Sequence, residues 1–424
     1  MLNGGACSLD ITPPLGTLIP GLFHERRAEV VHHPLQVRSF VLERAGEGIA
    51  VVVCDLIGVK RVYLDRAKAQ IAEAVGLAPE RVLICCTHTH TGAQTGEDAY
   101  TEFLIGRIAD AVRLAWEERQ PAQVGWGHRD EDRVVFNRRY RMRDGSVRTN
   151  PGLKNPEVVQ PAGPVDPEVG ALCLRRTGGE TIGLLANYSL HYVGGGDHER
   201  AISADYFGFF STLIQRMRGE RFVAALSNGA CGDINNHDVM GGTRPANDRY
   251  QHTERVAALV AADVFWAWNE MAFTDDAPLG ATMEEVVLKR RETPSEADLT
   301  HAREIRQQDR ATMGERAFAR RNLERIHEVP EEASTWVQAL RVGDLALVTA
   351  PGELLVELGL EIKARSPFGQ TMVLELANDS VGYLPGRKAF EEGGYEAEAS
   401  VFRPGVGEQI VKTAVGLLDR LYSE

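Results

Sequence analysis

Residues 81–92 read RVLICCTHTHTG, an apolar run that ends in two histidines two positions apart and then a glycine. The run has the length and composition of a buried strand. Side chains alternate along an extended strand, so His88 and His90 are expected to point the same way. Such a pair can bind a metal, act as an acid/base couple, or simply end the strand. The neighbouring segments give it a setting. VRSFVLE (37–43) and IAVVVCDLIGV (49–59) read as strands, and YLDRAKAQIAEAVGL (63–77) carries a helical period. TEFLIGRIADAVRLAWEERQ (101–120) reads as an amphipathic helix. This rhythm is α/β, and ligands in open α/β sheets gather at the C-terminal ends of strands.

Outward from that core the pattern continues. Residues 127–170 are rich in Arg, Asn, Pro and Gly and read as a long functional loop, with a short hairpin at MRDGSV. ALCLRR and TIGLLANYSLHYV (181–193) form a strand pair, and YFGFFSTLIQRMRG with FVAALSNGACGDINN makes a helix–strand unit. ERVAALVAADVFWAWNEM is a helix. From about 288 to 330 the chain turns highly charged with weak helical periodicity, which reads as a solvated helical arm or insertion. STWVQALRVGDLALVTAPGELLVELG restores strand, turn and helix. The whole is read as one domain over 1–424.

Composition narrows the function. With 60 acidic against 47 basic residues, the formal charge is −13. That excess argues against nucleic acid or an anionic membrane as a partner. No run approaches the ~20 apolar residues of a membrane span, and the N-terminus lacks a basic and apolar leader pattern. The six cysteines mostly sit in apolar runs without a CxxC, as buried thiols in a cytoplasmic protein would.

Four segments share one design, an apolar strand that ends in ligand-type side chains. They are THTHTG, NYSLHYVGGGDHERAISADY, PGELL, and NDSVGY followed by GGYEAEAS. Together they bring His88, His90, His191, Glu353, Tyr383 and Tyr395 to strand ends, a donor set that suits a catalytic zinc with an open position for water. Each piece alone has a structural alternative: a satisfied histidine, a glutamate favoured by a helix N-terminus, a packing tyrosine. SNGACGD (227–233) offers Ser227, Cys231 and Asp233 but is not a nucleophile elbow, and its glycines read as turn residues. No phosphate-binding loop is present.

The order of motifs adds to this. GACSLDITPPLG, CTHTHTG, FNRR…TNP, VDPEVGALCLRR, NYSLH…ISADYFG, SNGACGDINN, PGELL and NDSVGY…GGYEA together resemble the neutral (non-lysosomal) ceramidase family over roughly residues 4 to 400. The resemblance implies a mixed-sheet α/β zinc amidase that cleaves an N-acyl amide, with one Zn2+ per chain. It implies that His88, His191, Glu353 and Tyr383 hold the zinc, while His90 faces the substrate carbonyl. Tyr395 would stabilise the oxyanion, and Arg138 would be the active-site arginine, in a register that adjacent Arg139 could also fill.

Three departures accompany it. Asn235 stands where the family loop has serine, which leaves metal-activated water as the nucleophile. The chain leaves no room for the family's C-terminal immunoglobulin-like domain, and it shows no secretion signal. The expected substrate is therefore a small soluble amide, with FNRRYRMRDGSVR able to supply a carboxylate-recognising arginine. Asp205 is a candidate orienting residue, Asp55 a structural one, and His198 an acid/base candidate. An esterase or lactonase, or a non-catalytic binding protein, remains open on the same residues, as does homo-oligomerisation.

Overall fold

The strand Gln36–Arg44 sends Phe40 and Leu42 to one face and Val37 and Val41 to the other. Glu47–Cys54 likewise opposes Ile49, Val51 and Val53 to Ala50, Val52 and Cys54. A sheet apolar on both faces must be covered on both. The computed structural model describes residues 1–193, 199–241 and 250–424 and shows the covering layers. Eight strands form a mixed sheet. Their order is Val223–Asn228, Thr181–Tyr188, Glu168–Arg176, Gln120–Asp130, Leu2–Asp10, Gln36–Arg44, Glu47–Cys54 and Val82–Cys86. The outermost pair at each edge is parallel and the interior pairings are antiparallel.

One face of this sheet carries helices α1 (Arg61–Val75) and α2 (Ala99–Glu117), together with α3 (Asp205–Arg218) and α4 (Gln251–Glu270). The other face packs on a second sheet, ordered Leu279–Lys289, Glu332–Val342, Leu345–Thr349 and Gln370–Leu374. The intervening layer holds Phe40, Leu42, Leu174, Leu185, Leu340 and Leu347, all at most 3% exposed. Burying each such side chain is worth about 1.5–3 kcal/mol. Two charged helices, α5 (Glu296–Arg306) and α6 (Met313–Leu323), follow the first strand of the second sheet. Beyond it come α7 (Val356–Arg365), α8 (Arg387–Glu392), α9 (Tyr395–Ala399) and α10 (Val406–Ser423). Helices α7 and α10 cover the second sheet's outer face, which gives four layers: helix, sheet, sheet, helix.

The layers explain how strand ends far apart in the sheet order meet. The segment leaving Gln370–Leu374 stitches the two edges of the large sheet together. Glu375 donates its N–H to Asn228 O (3.1 Å), Cys86 donates its N–H to Leu376 O (3.2 Å), and Asn378 donates its N–H to Ile84 O (2.8 Å). Asn228 Nδ2 also reaches Thr87 O across the gap at 3.5 Å.

Two expectations need correction. The stretch 127–170 is not one long loop: strand Gln120–Asp130 runs into it, and short strands at Phe136–Asn137, Arg139–Met142, Val147–Thr149 and Val158–Pro161 follow. Hairpin pairing of Arg139–Met142 with Val147–Thr149 confirms the turn in MRDGSV. The strand in RVLICCTHTH stops at Cys86, before either histidine. The helical arm is present, each helix opening on a capping box, Ser295 with Asp298 and Thr312 with Glu315. It is less solvated than its charge suggests, because Ala317, Ala319, Arg321 and Asn322 are buried.

Candidate metal centre

His88 takes a left-handed backbone conformation (φ 64°), so strand alternation cannot be what aligns His88 with His90. A hydrogen-bonded loop does it instead. Asp205 Oδ2 accepts from Thr89 Oγ1 (2.8 Å) and Thr91 Oγ1 (3.1 Å), and Arg26 Nη2 donates to His90 O (2.8 Å). Asp205 is thus a positioning residue, held by burial at a pKa of about 7. Asp55 accepts from Arg38 Nη1 and Gln36 N, which is the structural role expected of it. Gly21 (φ 102°) must be glycine: a Cβ there would stand 2.6 Å from His90 Nδ1. The two imidazoles end up edge to face, 4.9 Å between centroids.

His191 follows the strand Thr181–Tyr188 and meets the His88 ring edge to face, 4.6 Å between centroids. Glu353 and Tyr383 are direct cross-strand partners in a two-residue parallel pairing, which fixes their side chains beside one another. Gly232 lets the neighbouring loop approach this ladder, since a Cβ would lie 2.8 Å from Glu353 O. Nitrogen atoms of His88, His90 and His191 all lie within 4.8 Å of one another, and the three side chains are buried. Glu353 Oε2 stands 3.4 Å from His88 Nε2 and 3.7 Å from His191 Nδ1. His90 Nε2 is 3.0 Å from His191 Nε2.

These donors fit a divalent metal. His88 Nδ1 lies 2.7 Å from Ile57 O, a carbonyl that can only accept, so Nδ1 holds the proton and Nε2 offers its lone pair. Arg138 can only donate, and its Nη1 lies 3.2 Å from His191 Nδ1, so that nitrogen is also proton-free, its lone pair turned to Arg138 until an ion takes that contact's place. His88 Nε2 and Glu353 Oε2 are buried without a hydrogen-bond partner among the described residues. Ligand atoms ~2.0–2.2 Å from a tetrahedral zinc stand roughly 3.3–3.6 Å apart, close to the separations around Glu353 Oε2. Burial lowers the pKa of His191 and of His90 well below the usual range, helped by neighbouring positive charge, which keeps both imidazoles neutral as ligation requires. At His88 burial opposes protonation, but the Glu353 carboxylate outweighs it and raises the pKa; the same pairing lowers that of Glu353 against its own burial.

Arg138, not Arg139, is the arginine at this centre. It lies between the short strands Phe136–Asn137 and Arg139–Met142, donating to Glu396 Oε1 (2.7 Å), Gly232 O (2.6 Å) and Tyr383 Oη (3.1 Å). Arg139 turns to Gly393 O and Glu392. The expected carboxylate-recognising arginine in FNRRYRMRDGSVR is not available there. Arg138 and Arg141 are tied to protein carboxylates, Arg143 to Pro156 O and Arg148 to Asp144. Tyr395 sits at the start of α9 with its ring 5.4 Å from that of Tyr383, and burial raises the pKa of both phenols. Asn235 does reach the centre's surroundings. It lines a 370 Å³ cavity with His90, Arg138, His191 and Tyr395, and donates to Asn150 Oδ1 (2.5 Å).

Ser227, Cys231 and Asp233 take no place at the centre. Their partners are Ala186 O, Glu375, and Val356 N with Asn137. His198 lies outside the described residues. Reading the sequence missed Glu396, which anchors Arg138, and the α6 arginines Arg320 and Arg321, which line a 220 Å³ cavity with His88, His90 and Glu353. A carboxylate in GGYEAEAS one position after Tyr395 was a visible signal for Glu396; the arm's distance in sequence concealed the arginines.

No family model matches the sequence. The neutral ceramidase of Pseudomonas aeruginosa is 23% identical over 253 residues, 55% of this chain and 36% of that protein, so the chain spans little more than a third of the relative's length. A crystal structure of neutral ceramidase from Pseudomonas aeruginosa superposes with a TM-score of 0.76 at 18% identity, over 99% of this chain and 75% of that one. A ceramidase complexed with C2 gives 0.75 at 19% identity, over 99% and 76%. The mixed-sheet α/β fold is that of the ceramidase structures, and over 253 residues the sequence is similar to neutral ceramidase as well.

Proposed function

We propose that this protein is a zinc-dependent hydrolase of linear N-acyl amides acting on a small soluble substrate. The observation that carries the reading is the pair of buried donor atoms His88 Nε2 and Glu353 Oε2, 3.4 Å apart and without a hydrogen bond among the described residues, converging with His191 beside Tyr383. His88, His191, Glu353 and Tyr383 would hold the ion. When bound, such an ion polarises the carbonyl and activates water for attack at neutral pH.

The remaining residues divide the work. Tyr395, kept protonated by its raised pKa, donates to the oxygen that becomes negative as the amide carbon is attacked; one donor of this kind is worth about 3 kcal/mol. His90 is neutral and close enough to share this task or to pass a proton toward the leaving nitrogen. Arg138 acts through others, donating to Tyr383 Oη and anchored by Glu396. Asn235 has no nucleophilic atom, which supports water rather than a side chain as the attacking group. The relatives' name speaks for an amide bond, and the six free thiols fit a cytoplasmic setting.

The test is metal content and rate, measured together on matched amide, ester and lactone panels. His88→Ala and Glu353→Ala are expected to lose zinc and lower kcat/KM by ~10³-fold or more, whereas His90→Ala keeps the zinc and loses rate. Faster ester or lactone turnover would move the reading to an esterase. Equal metal loss in all three variants would make His90 a ligand, and wild-type protein without zinc would refute the proposal.

A further inference from the structure

The cavity that reaches His88, His90, Glu353 and Tyr395 has a second, basic wall. Arg320 and Arg321 on α6, and Arg325 two residues beyond that helix, line the side facing the donor cluster. The wall is built, because α6 starts on the Thr312–Glu315 capping box and Arg321 is 6% exposed, donating to Glu398 O (2.7 Å) and Glu398 Oε2 (2.8 Å). Arg321 Nε is nevertheless buried with no partner among the described residues. Among the described residues, Arg320 and Arg325 have only long ion pairs within their own segment, to Glu324 at 3.8 Å and Glu328 at 3.6 Å. Glu324 is shared with Arg306. The one carboxylate in the lining is Glu353, whose charge a bound cation would compensate.

Three guanidinium groups therefore line a 220 Å³ cavity, Arg321 braced by Glu398 and Arg320 and Arg325 held by ion pairs of 3.8 and 3.6 Å, inside a protein of net charge −13. An arginine cluster in such a pocket recognises planar carboxylates, and the field it makes steers anions inward against the overall charge. The volume is below the ~300 Å³ at which drug-sized ligand pockets begin. It suits a short acid chain, and its basic lining is unlike what two alkyl tails would need. Resting on the hydrolase reading, we propose that the substrate is an N-acyl amide bearing a carboxylate a few carbons from the scissile bond, and that Arg320, Arg321 and Arg325 bind that carboxylate.

The experiment uses zinc-loaded protein and the 4-nitroanilides of succinic and glutaric acid, beside those of butyric and valeric acid. The acidic anilides should be cleaved with kcat/KM at least ~100-fold higher, a preference that shrinks with added salt. R320Q and R325Q should raise KM for the acidic anilides ~10-fold or more, leave kcat near wild type, and leave the neutral anilides unchanged. R325K should restore part of the loss. Equal cleavage of the two series, or variants that slow both alike, would overturn the proposal. If no anilide is cleaved, the hydrolase reading fails first, and calorimetry with glutarate then decides the arginine wall. Binding that R320Q and R325Q abolish, with glutaramide not binding, keeps it; no glutarate binding by the wild type ends it.

Discussion

Lys68 is a cationic side chain on the wrong face of its helix. It lies 1% exposed among Leu64, Ala67 and Ile71 on α1, and its Nζ has no partner among the described residues. Burial lowers its pKa from 10.5 to about 7, more than nearby Asp65 and Glu80 can offset. A base with a depressed folded-state pKa is a penalty: the unfolded chain keeps the proton up to about 10.5 while the folded one releases it near 7. The penalty is full below pH 7 and is relieved as pH rises from 7 toward 10.5, so stability gains with pH across that window. Lys68→Met is expected to raise stability at pH 7 by about 1–4 kcal/mol and to flatten that slope. Urea unfolding of both proteins at pH 6, 7.5 and 9 checks it; a variant less stable at every pH would show that Lys68 has a partner or a role.

At the scale of elements, the strand ends were readable from sequence because apolar runs followed by His, Glu or Tyr are local signals. His88, His90, His191, Glu353, Tyr383 and Tyr395 could be picked out this way, and the structure brings them around adjoining cavities. The local geometry was not readable. The HxH pair aligns through a left-handed residue and the Asp205 hydrogen bonds, and Asp205, at the start of α3, lies 116 positions from Thr89 and 114 from Thr91. The segment 127–170 looked unstructured because its strands are two to four residues long apart from the ends of longer ones, too short for a period of two to register. The arm kept its secret for a similar reason. Its charge pattern reports helix and solvent, while its contact with α9 is a property of the folded chain. Helix α6 hangs on one cap, where Thr312 Oγ1 accepts from Glu315 N and Glu315 accepts from Thr312 N. Thr312→Ala should cost that helix about 1 kcal/mol. Hydrogen exchange is expected to quicken several-fold across 313–323 and to stay unchanged in α1 and α2; uniform quickening would mean that the arm is integral to global stability.

Across the whole molecule, the donor cluster sits where the two sheets meet. His88 and His191 follow strands of the large sheet, whereas Glu353 and Tyr383 belong to the connections of the small one. A bound ion would therefore tie together two layers that are otherwise joined by apolar packing and by the segment after Leu374. Those layers have extensive cores of their own, so metal removal should leave the fold standing. The gain from the ion follows mass action: at free zinc 100-fold above its dissociation constant it is about 2.7 kcal/mol. Spread over the unfolding entropy of a 424-residue chain, that gain corresponds to a rise in Tm of about 3 °C. His88→Ala and Glu353→Ala change the metal-free stability themselves, because each strips a buried partner from the other. The quantity to compare is thus the zinc-dependent shift within each protein. Scanning calorimetry with zinc and with a chelator should give a shift in the wild type and none in either variant. A chelated wild type already unfolded at 25 °C would show that the ion is structural, and a shift that survives both substitutions would place the ion elsewhere.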